Sequence, residues 1–110
     1  MTGKQISVEA VHALIEQGMP SDSVIIDVRT PAEFEKGAII GAKNIPLDVI
    51  MNHVDELRLY QKIYLYCLSG GRSQLALAQL EALGLPAELY SMTSGLLAWR
   101  KQGFSLNTPL

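Results

Sequence analysis

Residues 62–84 read "KIYLYCLSGGRSQLALAQLEALG". The opening "KIYLY" is a short apolar run rich in aromatic and branched side chains, the length and composition of a buried strand. Gly70 and Gly71 then break the chain, and beyond them Ala76, Leu80 and Leu83 recur at helical spacing until Gly84 provides a stop. Leu75 and Leu77 widen the apolar surface of this helix, which is therefore expected to be deeply buried. A strand that passes through a glycine turn straight into a helix is the first half of a crossover, and crossovers join parallel strands.

The same alternation extends in both directions. "VIIDV" at 24–28, "AKNI" at 42–45 and "AELY" at 87–90 read as further strands, and Lys4–Ile6 as an edge strand. Between them Ser7 caps a first helix with the stripe Val8, Val11, Leu14 and Ile15, which Gly18 ends. Thr30-Pro31-Ala32-Glu33 is a capping box with proline at the first helical position, and Gly37 closes that helix. Ile50, Val54 and Leu57 mark a third helix, and a last one is expected from about Ser94 to Gln102, with Gly103 beyond it. The expected fold is α/β: a largely parallel sheet of about five short strands flanked by helices on both faces.

With 110 residues, 48% of them hydrophobic, the chain has enough for one core and too little for two, so a single domain over residues 1–110 is expected, as a complete short chain. The formal charge of -2 comes without any basic block, which argues against a nucleic-acid partner. No apolar stretch approaches the ~20 residues that cross a bilayer, and Glu9 and Glu16 interrupt the N-terminal region where a signal sequence would be apolar. One unpaired cysteine suits a reducing compartment, so a cytoplasmic location is expected.

In parallel α/β sheets ligands bind beyond the carboxyl ends of the strands. "DVRTP", "IPLD" and "CLSGGRS" all leave strands at that edge, which places Cys67 at the site by topology alone. Gly70 and Gly71 permit positive φ and leave room for a ligand, so the amides of the loop can turn inward to hold an anion. The helix that begins near Arg72 adds the positive end of its dipole. A thiol in that field should fall from ~8.5 toward a range where the thiolate is populated at neutral pH. Cys67 is thus a candidate nucleophile. Arg72, a cation in the first turn of a helix, implies a nearby anion, either a ligand or a carboxylate. The bland reading of a lone cysteine is a small buried hydrophobe; the glycines and the arginine weigh against it.

At this point "VIIDVRTPAEFEKGAIIGAKNIPL" at 24–47, "YLYCLSGGRSQLALAQLEALG" at 64–84 and the tail "SGLLAWRKQGFSL" at 94–106 together resemble the rhodanese family of sulfurtransferases. The resemblance implies that Cys67 carries sulfane sulfur as a persulfide between a donor and an acceptor. It also implies a cradle from the backbone of Leu68, Ser69, Gly70, Gly71, Arg72 and Ser73, braced by Asp27 and Arg29. The mechanism implied is double displacement by a preformed thiolate, which needs no general base, cofactor or metal. His12 and His53 read as boundary residues of amphipathic helices, Trp99 as a core or rim aromatic, and Glu33 first as a capping-box partner, with a bond to Arg29 second. The implied partners are thiosulfate or a related sulfur-containing anion, or a persulfide, as donor and a thiol or cyanide as acceptor; a protein sulfur carrier is a further candidate.

Two other readings stand beside this one. Cysteine phosphatases and arsenate reductases also place a cysteine and an arginine at the ends of an anion-binding loop, but with five residues between them where this chain has four. A phosphatase also requires an acid for its leaving group, and no aspartate is an obvious candidate. The other reading is a non-catalytic binding or regulatory module. The chain departs from the family pattern at Leu68, where arginine or lysine often follows the cysteine, and at Ala38 and Ile40, where histidine and proline are usual. An apolar pocket mouth at Leu68 implies weak use of thiosulfate, with a low-molecular-weight or protein persulfide as the favoured donor, and Leu68→Arg is expected to raise thiosulfate turnover.

Overall fold

The computed structural model describes residues 3–108. Its strands are β1 (Gly3–Ile6), β2 (Ser23–Asp27), β3 (Lys43–Asn44), β4 (Lys62–Tyr66) and β5 (Glu88–Met92). They form one sheet in the order β1-β5-β4-β2-β3 with every pairing parallel. Between them run α1 (Val8–Gln17), α2 (Pro31–Lys36), a 3₁₀ segment (Leu47–His53) that continues into α3 (Val54–Leu57), α4 (Gly71–Ala82) and α5 (Gly95–Lys101).

The strand period of two divides the core. Ile63, Leu65 and Cys67 point to one face, where they meet Ala76, Leu77 and Leu80 of α4 together with Ile50 and Leu57. Tyr64 and Tyr66 point to the other, against Val8 and Val11 of α1 and Leu96 and Trp99 of α5. Helices cover both faces, as the alternation of strand and helix requires. The local signals for the first two helices are realised in detail. Ser7 Oγ accepts the Ala10 N–H, and Thr30 and Glu33 exchange both capping-box bonds.

Two expectations fail on packing. The segment from Leu47 begins as 3₁₀ helix, and only its last turn is α-helical. Ile50 and Leu57 are still buried from it. Leu75, expected inside, is 58% exposed, because α4 packs only one side on the sheet and Leu75 points away from the stripe of Ala76, Leu77 and Leu80.

β2 and β4 are neighbours in the middle of the sheet, yet the chain leaves β2 toward β3 on one side and β4 toward β5 on the other. Their carboxyl ends therefore open a crevice with no crossover above it, the position where parallel sheets bind ligands. Asp27 at the end of β2 pairs in register with Tyr66 at the end of β4. The site is built on these two ends.

Candidate active site

α4 starts without a capping side chain. Its N-cap is Gly70, in a left-handed conformation with φ 108° that favours glycine. Gly71 needs no such freedom: it is the first helical residue, and a Cβ there would meet nothing within 4 Å. The missing cap is supplied by sulfur. Cys67 Sγ accepts the Gly70 N–H at 3.1 Å and the Ser73 N–H, the third amide of the helix, at 3.4 Å. Burial pushes the Cys67 thiol up, but the Ser73 and Gly70 amides, the Ser73 hydroxyl and the Arg72 amide outweigh it, and the thiol lies below its ordinary value.

The loop is also held from outside. Ser94 and Gly95, both left-handed at φ 58° and 45°, turn the start of α5 so that the Leu96 N–H meets Cys67 O at 2.9 Å and the Leu97 N–H meets Leu68 O at 3.0 Å. In a trans peptide the N–H points opposite to its carbonyl, so the amides of Leu68 and Ser69 face away from α5. Gly95 is tightly confined, since a Cβ would lie 2.2 Å from Cys67 O. Gly95→Ala is expected to cost about 1–3 kcal/mol through strain at positive φ and to displace the Cys67 carbonyl. Its check is a fall in urea midpoint together with slower Cys67 alkylation.

Arg29 forms a two-pronged ion pair with Asp27. Its Nε and Nη2 donate to both carboxylate oxygens of Asp27 at 2.7–3.0 Å, its own N–H donates to Asp27 Oδ1 at 2.9 Å, and Nη2 also reaches Gly37 O at 2.7 Å. Both residues are buried. Two partners were not foreseen from the sequence. Asn44 on β3 donates from Nδ2 to Asp27 O and Arg29 O, each at 3.0 Å. Tyr66 accepts the Ile39 N–H at 3.1 Å, and burial together with Asp27 holds its hydroxyl far above its ordinary value. Only the alternating pattern placed Tyr66 inside, and nothing in the sequence singled out Asn44.

Arg72 finds its anion within the protein. Nη1 and Nη2 donate to the Glu33 carboxylate at 2.8 and 3.1 Å. The structure thus assigns Glu33 to Arg72 rather than to Arg29 and ties the start of α2 to the start of α4. The Arg72 hydrogen bonds, with help from Thr30, lower Glu33 from its ordinary 4.5 to about 2. A carboxyl depressed on folding stabilises the protein above its unfolded value, and that contribution is lost as pH falls from 4.5 to about 2. Because the pair is about one-third exposed, the contribution should stay below about 1 kcal/mol. Acid titration of urea stability should be flatter for Glu33→Gln than for the parent in that range.

An open groove of about 460 Å³ is lined by Val28, Pro31, Pro46, Leu47 and Met51 together with Thr30, Asp48, Arg72 and Gln79. It is mostly apolar, but not through Leu68. Leu68 is half-buried against the cluster that holds Tyr66, Leu96 and Trp99. Asp48 is a carboxylate near the loop that sequence reading passed over. Ser69 is exposed on the loop. Ala38 is buried and pairs with Asn107, whereas Ile40 is exposed beside Ile15 and Met19. The histidines stay out of the loop: His12 stacks on Phe104 at 3.8 Å and His53 contacts Glu56. Trp99 is a core residue whose Nε1 donates to Ser105 O at 3.0 Å.

Comparison with known proteins bears on the family and the fold. Residues 7–102 match the family described as "Rhodanese-like domain". A protein of Bacillus subtilis, YqhL, is 41% identical over 75 residues, which span 68% of this chain and 59% of that protein. A protein named "Sulfurtransferase" from Allochromatium vinosum is 32% identical over 88 residues, 80% of this chain and 81% of its own length. In fold, a crystal structure described as thiosulfate sulfurtransferase from Pseudomonas aeruginosa superposes on 99% of this chain and 21% of its own with TM-score 0.87 at 23% identity. With the family match covering residues 7–102, most of the chain, this chain belongs to the rhodanese family.

Proposed function

We propose that this chain is a sulfurtransferase that carries sulfane sulfur as a persulfide on Cys67. The observation that carries the reading is the double amide contact on Cys67 Sγ at 3.1 and 3.4 Å, which favours a thiolate at the start of a helix. In the first step the thiolate attacks the outer sulfur of the donor. The Sγ–S bond forms, the donor's S–S bond breaks, and the leaving group, sulfite when thiosulfate is the donor, departs with the electron pair. In the second step a thiolate or cyanide attacks the outer sulfur, and Cys67 leaves as thiolate. No proton has to move in either displacement, consistent with the distance of both histidines from the loop.

Negative charge shifts among sulfurs during both steps, so amides aimed at them do the stabilising. The two arginines nearest the loop are already spent: Arg29 on Asp27 and Arg72 on Glu33. A doubly charged small anion thus meets amides but no free guanidinium there, while the adjoining groove is largely apolar. This supports a persulfide of an organic thiol, small or borne by a protein, over thiosulfate as the favoured donor. The single domain, residues 1–110, is proposed as the unit that does this chemistry.

Intact-mass measurement tests the reading. Incubation with an organic persulfide, and more slowly with thiosulfate, should add one sulfur atom, and a later addition of cyanide should remove it. No gain with either donor, coupled with hydrolysis of an aryl phosphate, would move the assignment to a phosphatase with Asp48 as its acid. Neither activity would leave a binding module.

A further inference from the structure

Beneath the loop lies a polar residue that the sulfur chemistry so far has not used. Ser91 is on β5, two residues after Leu89, and shares its face toward α4; it is fully buried on a strand face that is otherwise apolar. Its Oγ lies 2.8 Å from Ser73 Oγ. Each hydroxyl has one proton to give and two positions to accept, so the surroundings decide which serine donates.

Ser73 Oγ lies 3.1 Å from Gly70 O, which can only accept, and 3.8 Å from Cys67 Sγ. When the Ser73 proton is directed to Gly70 O or to sulfur, the proton between the two serines comes from Ser91. Gly70 O also accepts the Gln74 N–H at 3.2 Å, so it keeps a donor when the Ser73 proton turns to the sulfur. The chain Ser91, Ser73, Cys67 thus runs in one direction.

We propose that Ser91 is a positioning residue for Cys67: by donating to Ser73 Oγ it fixes and polarises the Ser73 hydroxyl as a donor to the Cys67 thiolate. In the thiol form Cys67 S–H must donate to Ser73 Oγ, an oxygen already accepting from Ser91 and so a poorer acceptor. In the thiolate form Ser73 donates to sulfur, and a hydroxyl that accepts from Ser91 is the stronger donor. Both effects favour the charged sulfur, whose proton goes to solvent. The extension to the persulfide, in which Ser73 would serve the inner sulfur in the same way, rests on the sulfur-transfer reading above.

The test is the pH profile of Cys67 alkylation by iodoacetamide, with melting temperature, for the parent, Ser91→Ala, Ser73→Ala and the double variant. Arg72, Glu33, Asp48, Tyr66 and the Asp27–Arg29 pair, the charged and titratable groups around the loop, are the same in all four proteins. Ser91→Ala should move the midpoint up by a few tenths of a pH unit and slow alkylation at neutral pH about two- to fourfold. In the Ser73→Ala background the same change should move nothing further. Ser91→Thr, which keeps the hydroxyl, should hold the parent midpoint, and Ser91→Gly, which lacks it, stands in if Ser91→Ala fails to fold. An unchanged midpoint in Ser91→Ala, whatever its melting temperature, overturns the proposal, as does an equal shift in both backgrounds. If the parent takes sulfur from no donor while the coupled shift is present, sulfur transfer fails and Ser91 keeps its role at the thiol.

Discussion

Cys67→Ser protein is expected to lose sulfur transfer by about a thousandfold or more, to gain no mass with any donor, and to keep its fold. A serine hydroxyl can take the place of the sulfur as acceptor for the Gly70 and Ser73 amides, so the start of α4 remains capped. What it cannot do is ionise near neutrality or hold a second sulfur. Stability should stay within about 1 kcal/mol of the parent. Thiocyanate production from cyanide, read beside a urea melt, separates the two effects. The chain has no other cysteine to take over. Residual turnover in this variant would therefore refute covalent catalysis at residue 67 outright.

The second large effect is on stability. Asp27→Ala leaves the Arg29 guanidinium, with only 4% of its side chain exposed, without its two-pronged partner. Removing one member of a buried ion pair costs about 3–5 kcal/mol, because the remaining charge stays desolvated. That is a large part of the 5–15 kcal/mol typical of a domain's whole stability, so the variant should be partly unfolded at ordinary temperature. Asp27→Asn keeps oxygen acceptors in place and should cost less. Pairing Asp27→Ala with Arg29→Leu should recover part of the loss, since no buried charge is then left alone. Urea denaturation of the three proteins checks the order. A loss below about 1 kcal/mol in Asp27→Ala would show that the pair is dispensable to the fold.

What the sequence disclosed follows from how local each signal is. The strand 62–66 needed only its own residues, and the capping box at Thr30 only four consecutive ones. The loop from Cys67 to Ser73 was readable because a glycine turn, a thiol and a helix start are neighbours in the chain. The Glu33–Arg72 bond joins residues 39 apart, and either end has more than one eligible partner until the fold is known. Asn44 and Ser91 were silent for a related reason: one is a polar residue on a two-residue strand, the other a polar residue in a strand whose inward face is otherwise apolar. Leu75 misled because an apolar residue on a helix is counted as core until one knows how much of the helix circumference the sheet covers.

The bonds from α5 to the carbonyls of Cys67 and Leu68 have a thermodynamic consequence. Fixing one residue's backbone opposes order by about 1–2 kcal/mol of conformational entropy, and here that ordering is completed when α5 docks, before any donor arrives. The entropy is charged to folding and not to association. On the proposed function, donor capture should therefore proceed without a loop-ordering step, with the activation entropy of a rigid receptor, and a protein that holds its Cys67 turn this firmly gives up adaptability of fit in return for speed of encounter.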